Sequence, residues 1–365
     1  MQLRPDQLAQ HLERGPLRPI YTVHGDEALL AQEAGDLIRA AARDAGCSER
    51  QVFTVSGAHF DWSGVLGAAQ AMSLFAERRL IEIRIPGGKP GKDGSEYLQR
   101  YCERLPEDVI TLVQLPRLDG QQLKSGWFAA LDGAGVSLRI ETIERPALPQ
   151  WIVRRLALQR QRVKEGEEGQ RTLAFFADRI EGNLLAAHQE LQKLALLYPE
   201  GELSFDDVAA AVLDVARYDV FKLGEAMLTG QTARALRMLD GLRAEGESPV
   251  RVLWTLADDL RALRRVRLAL DAGRPLPLAL QDARTWGAKL KLVERAAPAL
   301  ATRDVLRLVQ AASVCDGLSK GLKHPHWPLE PWEGLRRLVL MVIEALAASS
   351  PPPRGRPRAT LALEA

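Results

Sequence analysis

The chain has 365 residues, 26% of them charged and 46% hydrophobic, with a formal net charge of +2. That length suits three domains better than one, and the composition is that of a globular protein rather than a disordered chain. Balanced charge argues against a surface that grips nucleic acid everywhere, no apolar run reaches the roughly 20 residues of a spanning helix, and Met1 to Asp6 lacks a signal core, which predicts a cytoplasmic location.

Residues 1–145 alternate strands with amphipathic helices. A strand is expected over Pro19 to Val23, after which Leu30, Ala34, Leu37, Ile38 and Ala41 recur at helical spacing before a strand at Gln51 to Val55. Trp62, Val65, Leu66 and Ala69 mark another helix. Buried strands are expected at Arg79 to Ile85, Val109 to Leu115 and Val136 to Ile140, with helical stretches between them. This alternation predicts a mostly parallel sheet covered by helices.

Between the Trp62 helix and the Arg79 strand the chain reads Gln70-Ala-Met-Ser-Leu-Phe75, with Glu77, Arg78 and Arg79 following. Connecting segments usually run over the surface and are polar. Met72, Leu74 and Phe75 therefore either tuck into the core beneath, the commoner arrangement, or are offered to a partner's apolar pocket, where a few buried anchors supply most of the binding energy.

Composition changes at Pro146-Ala-Leu-Pro149, after which almost nothing reads as strand. Helices are expected at Trp151 to Gln161, Gln170 to Ile180, Asn183 to Leu197 and Phe205 to Val215, the last capped by Ser204, which together make a small helical domain over 146–216. A third, helical domain is expected over 217–348. Ser248-Pro249 opens a helix running to about Ala272, Thr302 is placed to cap another reaching about Leu318, and Pro331 opens the last. The segment 349–365 is rich in proline and arginine and reads as a disordered tail.

An α/β domain, a helical lid and a helical bundle form the layout of clamp-loader-type AAA+ proteins. In that class a P-loop would follow the first strand, where a glycine-rich turn and a lysine cradle phosphates at a helix N-terminus. Here the turn reads His24-Gly25-Asp26-Glu27-Ala28-Leu29-Leu30, with one glycine, no lysine and two acids where an anion would sit. The strand at Val109 to Leu115 ends in Gln114-Leu115-Pro116 without a metal-binding acidic pair, and Asp119 belongs to the loop beyond. Glu181-Gly182-Asn183-Leu184-Leu185 resembles the Gly-x-x-Arg sensor motif of AAA+ ATPases with Leu185 in place of the arginine. The chain is therefore expected not to hydrolyse ATP, and no cofactor is expected.

With these motifs, Trp127-Phe128, Leu148-Pro149-Gln150-Trp151 and Trp332-Glu333-Gly334-Leu335, the chain from about residue 3 to 345 resembles the delta subunit family of bacterial DNA polymerase III clamp loaders. The resemblance implies an α/β plus all-α fold: an AAA+-like parallel α/β domain lacking a P-loop, a small helical lid, and a C-terminal helical collar that holds the subunit in a hetero-pentamer. It implies as partners the sliding clamp (beta) ring, the ATPase motor subunits, delta-prime and, within the complex, primed DNA. Leu74 and Phe75 fall on the apolar pair that the family inserts into the clamp to open it, with Met72 beside them. A subunit of a DNA-directed DNA polymerase holoenzyme, a nucleotidyltransferase, is implied, with no catalytic site in this chain. The family pattern departs at the tail and at Leu322 to Trp327. The rival reading from another class is an ATP-dependent DNA-remodelling AAA+ enzyme with an atypical nucleotide pocket, and a third is a helical scaffold unrelated to replication.

Other residues carry weaker signals. Arg154, Arg155, Arg160, Arg162 and Lys164 form a basic run that reads first as a solvated helix face, with Arg154 and Arg155 as candidate phosphate contacts. Arg261, Arg264, Arg265 and Arg267 read as packing and salt bridging. His324-Pro325-His326-Trp327 lacks a Cys or carboxylate at ligand spacing, so His324 and Trp327 are better candidates for stacking on an exposed base than for a metal. Cys47, Cys102 and Cys315 stand far apart with no Cys-x-x-Cys pair, and reduced structural thiols are expected. No Ser-His-Asp, Cys-His or paired-carboxylate constellation is assembled by a local motif.

Overall fold

A computed structural model describes residues 1–57, 60–70, 78–213, 215–283, 285 and 287–349. The chain divides into two compact units, Met1–Leu173 with Leu184–Val212, and Ala174–Asn183 with Leu213 onward.

The α/β part of the first unit runs β1 (Gln2–Leu3), α1 (Leu8–Glu13), β2 (Ile20–Gly25), α2 (Ala28–Asp44), β3 (Cys47–Thr54), α3 (Ser63–Gln70), β4 (Arg78–Arg84), α4 (Gly91–Glu103), β5 (Val109–Leu115), α5 (Gly126–Ala134) and β6 (Val136–Ile140). Six strands form one parallel sheet in the order β1-β6-β2-β5-β4-β3. From β2 the chain goes to the far edge, returns through β4 and β5, and crosses to β6 on the other side. The carboxyl end of β2 is thus where the strand order reverses, the usual ligand position in doubly wound sheets.

Alternate residues of each strand face opposite cores. Tyr21, Val23, Leu80, Ile110, Leu112 and Leu138 pack with Leu8 of α1 and with Ala34 and Ile38 of α2. Ile20, Ile81, Ile83 and Val113 face the other way, onto Val65 of α3, Leu98 and Tyr101 of α4, and Phe128 and Leu131 of α5. Burial on both faces explains why Val109 to Leu115 is almost wholly apolar. A slip of one residue would exchange the two faces, so the pairing is tightly specified.

The first unit continues with α6 (Leu148–Leu158), β7 (Gln161–Val163), α7 (Gly166–Ile180), α8 (Leu184–Leu197), β8 (Gly201–Leu203) and α9 (Phe205–Ala211), the last turns of α7 belonging to the second unit. β7 and β8 pair in parallel, which corrects the expectation that this stretch holds almost no strand. Three-residue strands are too short to show a period of two. Ser204 caps α9 as expected: its Oγ accepts the Asp207 N–H at 3.1 Å, and Asp207 accepts the Ser204 N–H at 2.8 Å. The helix stops at Ala211 rather than Val215, because the Val215 and Arg217 N–H groups instead donate to the carbonyls of Arg179 and Glu181, at 2.8 and 2.9 Å.

The second unit holds α10 (Val220–Leu228), α11 (Thr232–Ala244), α12 (Pro249–Asp271), α13 (Leu276–Asp282), α14 (Gly287–Ala299), α15 (Thr302–Ser319) and α16 (Pro331–Ser349). α12 is its spine and packs against α10 and α13 to α16. Leu256, Leu260 and Leu263 of α12 meet Leu223, Met238, Leu338 and Val339 in one core. Pro249 and Pro331 stand at first helical positions, where the missing N–H costs nothing. Thr302 is not the cap of α15; Ala301 holds that position, and the Thr302 hydroxyl donates to Asp271. Among the described residues no helix is long and apolar enough to cross a membrane.

Candidate docking site

At the carboxyl end of β2, Gly25, Asp26 and His24 each have a packing or turn role. Gly25 has φ +153°, and a Cβ there would stand 1.9 Å from the Ile140 carbonyl oxygen. The close approach of β6 therefore demands this glycine, without any phosphate. Asp26 Oδ1 accepts the Arg117 N–H at 3.2 Å, and its carboxylate lies 3.8 Å from the Arg117 guanidinium. Glu27 stands at the start of α2, where burial raises its pKa. His24 is buried with its ring edge-on to Phe128, and burial, then Arg139, lower its pKa. Asp119 is spent on its own turn, accepting the N–H groups of Gln121 and Gln122 at 2.9 and 2.8 Å. Gly182 has φ +77°, and a Cβ there would lie 2.0 Å from the Arg217 carbonyl oxygen; Leu185 is exposed.

Met72, Leu74 and Phe75 lie outside the described residues, but both flanks of their corner are defined. Val65 and Ala69 bury one side of α3 in the sheet core. Arg79, at the start of β4, is only 4% exposed. Its Nη1 donates to the Ala68 carbonyl at 2.7 Å and its Nη2 to Asp108 Oδ2 at 2.7 Å. One buried guanidinium thus ties the end of α3 to the strand that follows and to the turn before β5. Behind α3, Trp62 stands between Phe60 and Tyr97, and Tyr97 stacks on Tyr101. Gly94 makes this possible, since a Cβ there would lie 2.5 Å from the Trp62 ring. The Tyr101 hydroxyl is 2.6 Å from the Thr111 hydroxyl, and burial pushes its pKa up to about 12.

Residues 21–141 match the family described as DNA polymerase III, delta subunit. The chain is 32% identical over 310 residues to the DNA polymerase III subunit delta of Escherichia coli (strain K12), spanning 85% of this chain and 88% of that one. It belongs to the DNA polymerase III delta subunit family. A relative of the same name from Haemophilus influenzae is 29% identical over 262 residues, 71% of this chain and 74% of its own. The solved structure of the Bacillus subtilis DNA clamp loader delta protein shares the fold, with a TM-score of 0.50 and 16% identity over 93% of this chain and 99% of that one.

The other candidate residues of this delta-family chain fall in separate places. Arg155 of α6 is held by Glu33 through two contacts of 2.6 Å and lies 4.9 Å over the Trp151 ring. Arg160, Arg162 and Lys164 pair with Glu200, Glu202 and Glu168. Arg154 is exposed and has no ion pair among the described residues, so it is the member of this run available to an outside anion. On α12, Arg261 and Arg267 pair with Asp258 and Asp271, and Arg265 donates to the Ala283 carbonyl. Trp327 is half-buried, with the Arg337 guanidinium 4.6 Å from its ring centre and His324 against its edge. All three cysteines are free thiols.

The sequence reading missed one constellation. Glu82 on β4 is fully buried and accepts from Arg39 Nε and Nη2 at 3.1 and 3.0 Å, from Arg50 Nε and Nη2 at 3.1 and 2.7 Å, and from Arg84 Nε at 2.6 Å. Burial alone would raise its pKa, but the hydrogen bonds from Arg39, Arg50 and Arg84 prevail and hold it at about 2. The available signal was a glutamate between two isoleucines of a buried strand, facing the same way as Leu80 and Arg84.

Proposed function

We propose that this delta-family chain is the clamp-binding subunit of a DNA polymerase III clamp loader, inserting Leu74 and Phe75, with Met72 beside them, into the sliding clamp ring. The observation that carries this reading is the P-loop position itself. Gly25 is filled against by the Ile140 carbonyl, Asp26 and Glu27 stand where an anion would, and no lysine is supplied. A domain of motor-like topology without a phosphate cradle acts by binding, with ATP turned over on neighbouring motor subunits. The buried Arg79 tie gives the α3–β4 corner fixed flanks.

Clamp binding opens the ring to the extent that the corner binds the open form more tightly than the closed one. Residues 146–216 serve as the lid, 217–348 as the collar that joins the motor subunits and delta-prime in a hetero-pentamer, and primed DNA enters the assembled complex in the cytoplasm. Arg154, His324 and Trp327 are candidates for touching it, with Arg155 less available because of Glu33. Leu74→Ala with Phe75→Ala should weaken clamp binding about a thousandfold, the loss of two apolar anchors, with little change in thermal midpoint. Calorimetric titration of the variant against the clamp checks this, and unchanged affinity would remove the corner from the interface.

A further inference from the structure

The Glu82 cluster lines an open cavity of about 650 Å³ at the carboxyl ends of β3, β4 and β5. β3 is the free edge of the sheet, and Arg50, Val52 and Thr54 on its α2-facing side are exposed. Three guanidiniums meet a single buried carboxylate. Asp36 takes up Arg39 at 2.6 Å, so Arg39, Arg50 and Arg84 against Glu82 and Asp36 leave one surplus positive charge. That surplus sits on Arg50 and Arg84, whose side chains are 45% and 44% exposed. Neither Nη1 group has an acceptor among the described residues. Like charges gathered around one carboxylate repel, and a further anion at the mouth relieves that repulsion. Glu82 fixes the guanidinium planes in advance, so such an anion meets an ordered array.

The rest of the lining chooses among anions. Ala28, Ala31 and Pro86 supply apolar wall beside the arginines. A phosphate would leave most of this volume and all of this wall unused, whereas a carboxylate side chain next to an aliphatic one uses both. We infer that this cavity is a docking site for a short acidic segment of a partner protein, its carboxylate on Arg50 and Arg84 and an aliphatic neighbour against Ala28, Ala31 and Pro86. The inference stands apart from the α3–β4 corner, which lies at the amino end of β4.

The test titrates the full-length chain with a fluorescent capped peptide of alternating glutamate and leucine, and with its glutamine–leucine counterpart. The acidic peptide should bind saturably, weaken as salt is raised, and lose about tenfold in affinity when Arg50→Gln is combined with Arg84→Gln. The glutamine counterpart should not bind. Arg39 remains to neutralise Glu82 in that variant, and an unchanged thermal midpoint verifies its fold. Thr54→Glu, which puts a negative charge in the lining without touching any Glu82 contact, should cause a similar loss and decides the matter if the double variant misfolds. No binding of the acidic peptide, equal binding of its counterpart, or affinity indifferent to these substitutions overturns the proposal. Displacement of the peptide by comparable concentrations of inorganic phosphate or duplex DNA overturns it too, in favour of a phosphate site.

Discussion

Two places at the carboxyl ends of the same parallel sheet have opposite characters. After β2, where the strand order reverses and a phosphate cradle would be expected, backbone closes on Gly25 and the turn itself carries two acids, Asp26 and Glu27. Beside it, beyond β4 and β3, arginines surround a buried glutamate and leave a cationic opening. Without a cradle after β2, this end of the sheet is still not featureless. A fold can give up recognition at one strand end and present charge at the next, because each strand's last residues belong to a different loop.

Substitutions that exchange these characters test the contrast, and the largest effect should come from the closed side. Gly25→Ala must fit a Cβ 1.9 Å from the Ile140 oxygen at a φ of +153°, so β2 and β6 have to separate. The expected loss is about 4 kcal/mol, read as a lowered urea midpoint, and a variant of normal stability would show that the glycine is dispensable to the sheet.

Next comes the open side. Glu82→Gln should cost about 3 kcal/mol at neutral pH, because the buried carboxylate is what the guanidiniums share. Its pKa is depressed from 4.5 to about 2, so its stabilisation is complete above about pH 4.5 and disappears as the pH falls toward 2. Urea midpoints of the parent and Glu82→Gln chains should therefore converge over that window; a gap that ignores pH would mean that the pairing contributes nothing.

The smallest effect belongs to Asp26→Ala. Its contacts with Arg117 are long and exposed, so about 0.5 kcal/mol is expected. Equilibrium dialysis with ATP should register no binding by this variant, since relieving repulsion supplies neither lysine nor cradle. Measurable binding would mean that the acid alone had been keeping nucleotide out.

How much of this was readable beforehand depended on whether the cause was local. β5 and β6 have the bounds that their apolar runs predict, and α12 and α16 begin at the prolines that announce them. β1 went unnoticed because a two-residue strand has no period to read; it exists by pairing with β6. The Thr302 hydroxyl prefers Asp271, distant in sequence, over the helix start beside it. The charge cluster was hidden for the same reason, since Arg39, Arg50 and Glu82 lie on three elements that only the strand order brings together. The absent lysine and sensor arginine were visible at once, whereas the reason for Gly25 was not, because Ile140 reaches it across the sheet.

The three cysteines have a practical consequence. Burial pushes the Cys102 and Cys315 thiols up to about 12 and raises Cys47 as well. At neutral pH, a pKa near 12 leaves about one thiol in a hundred thousand as the reactive thiolate. A cysteine placed at an exposed position such as Leu66 of α3 would therefore outpace all three toward maleimides, giving a single-site fluorescent reporter beside the corner without first removing any native residue.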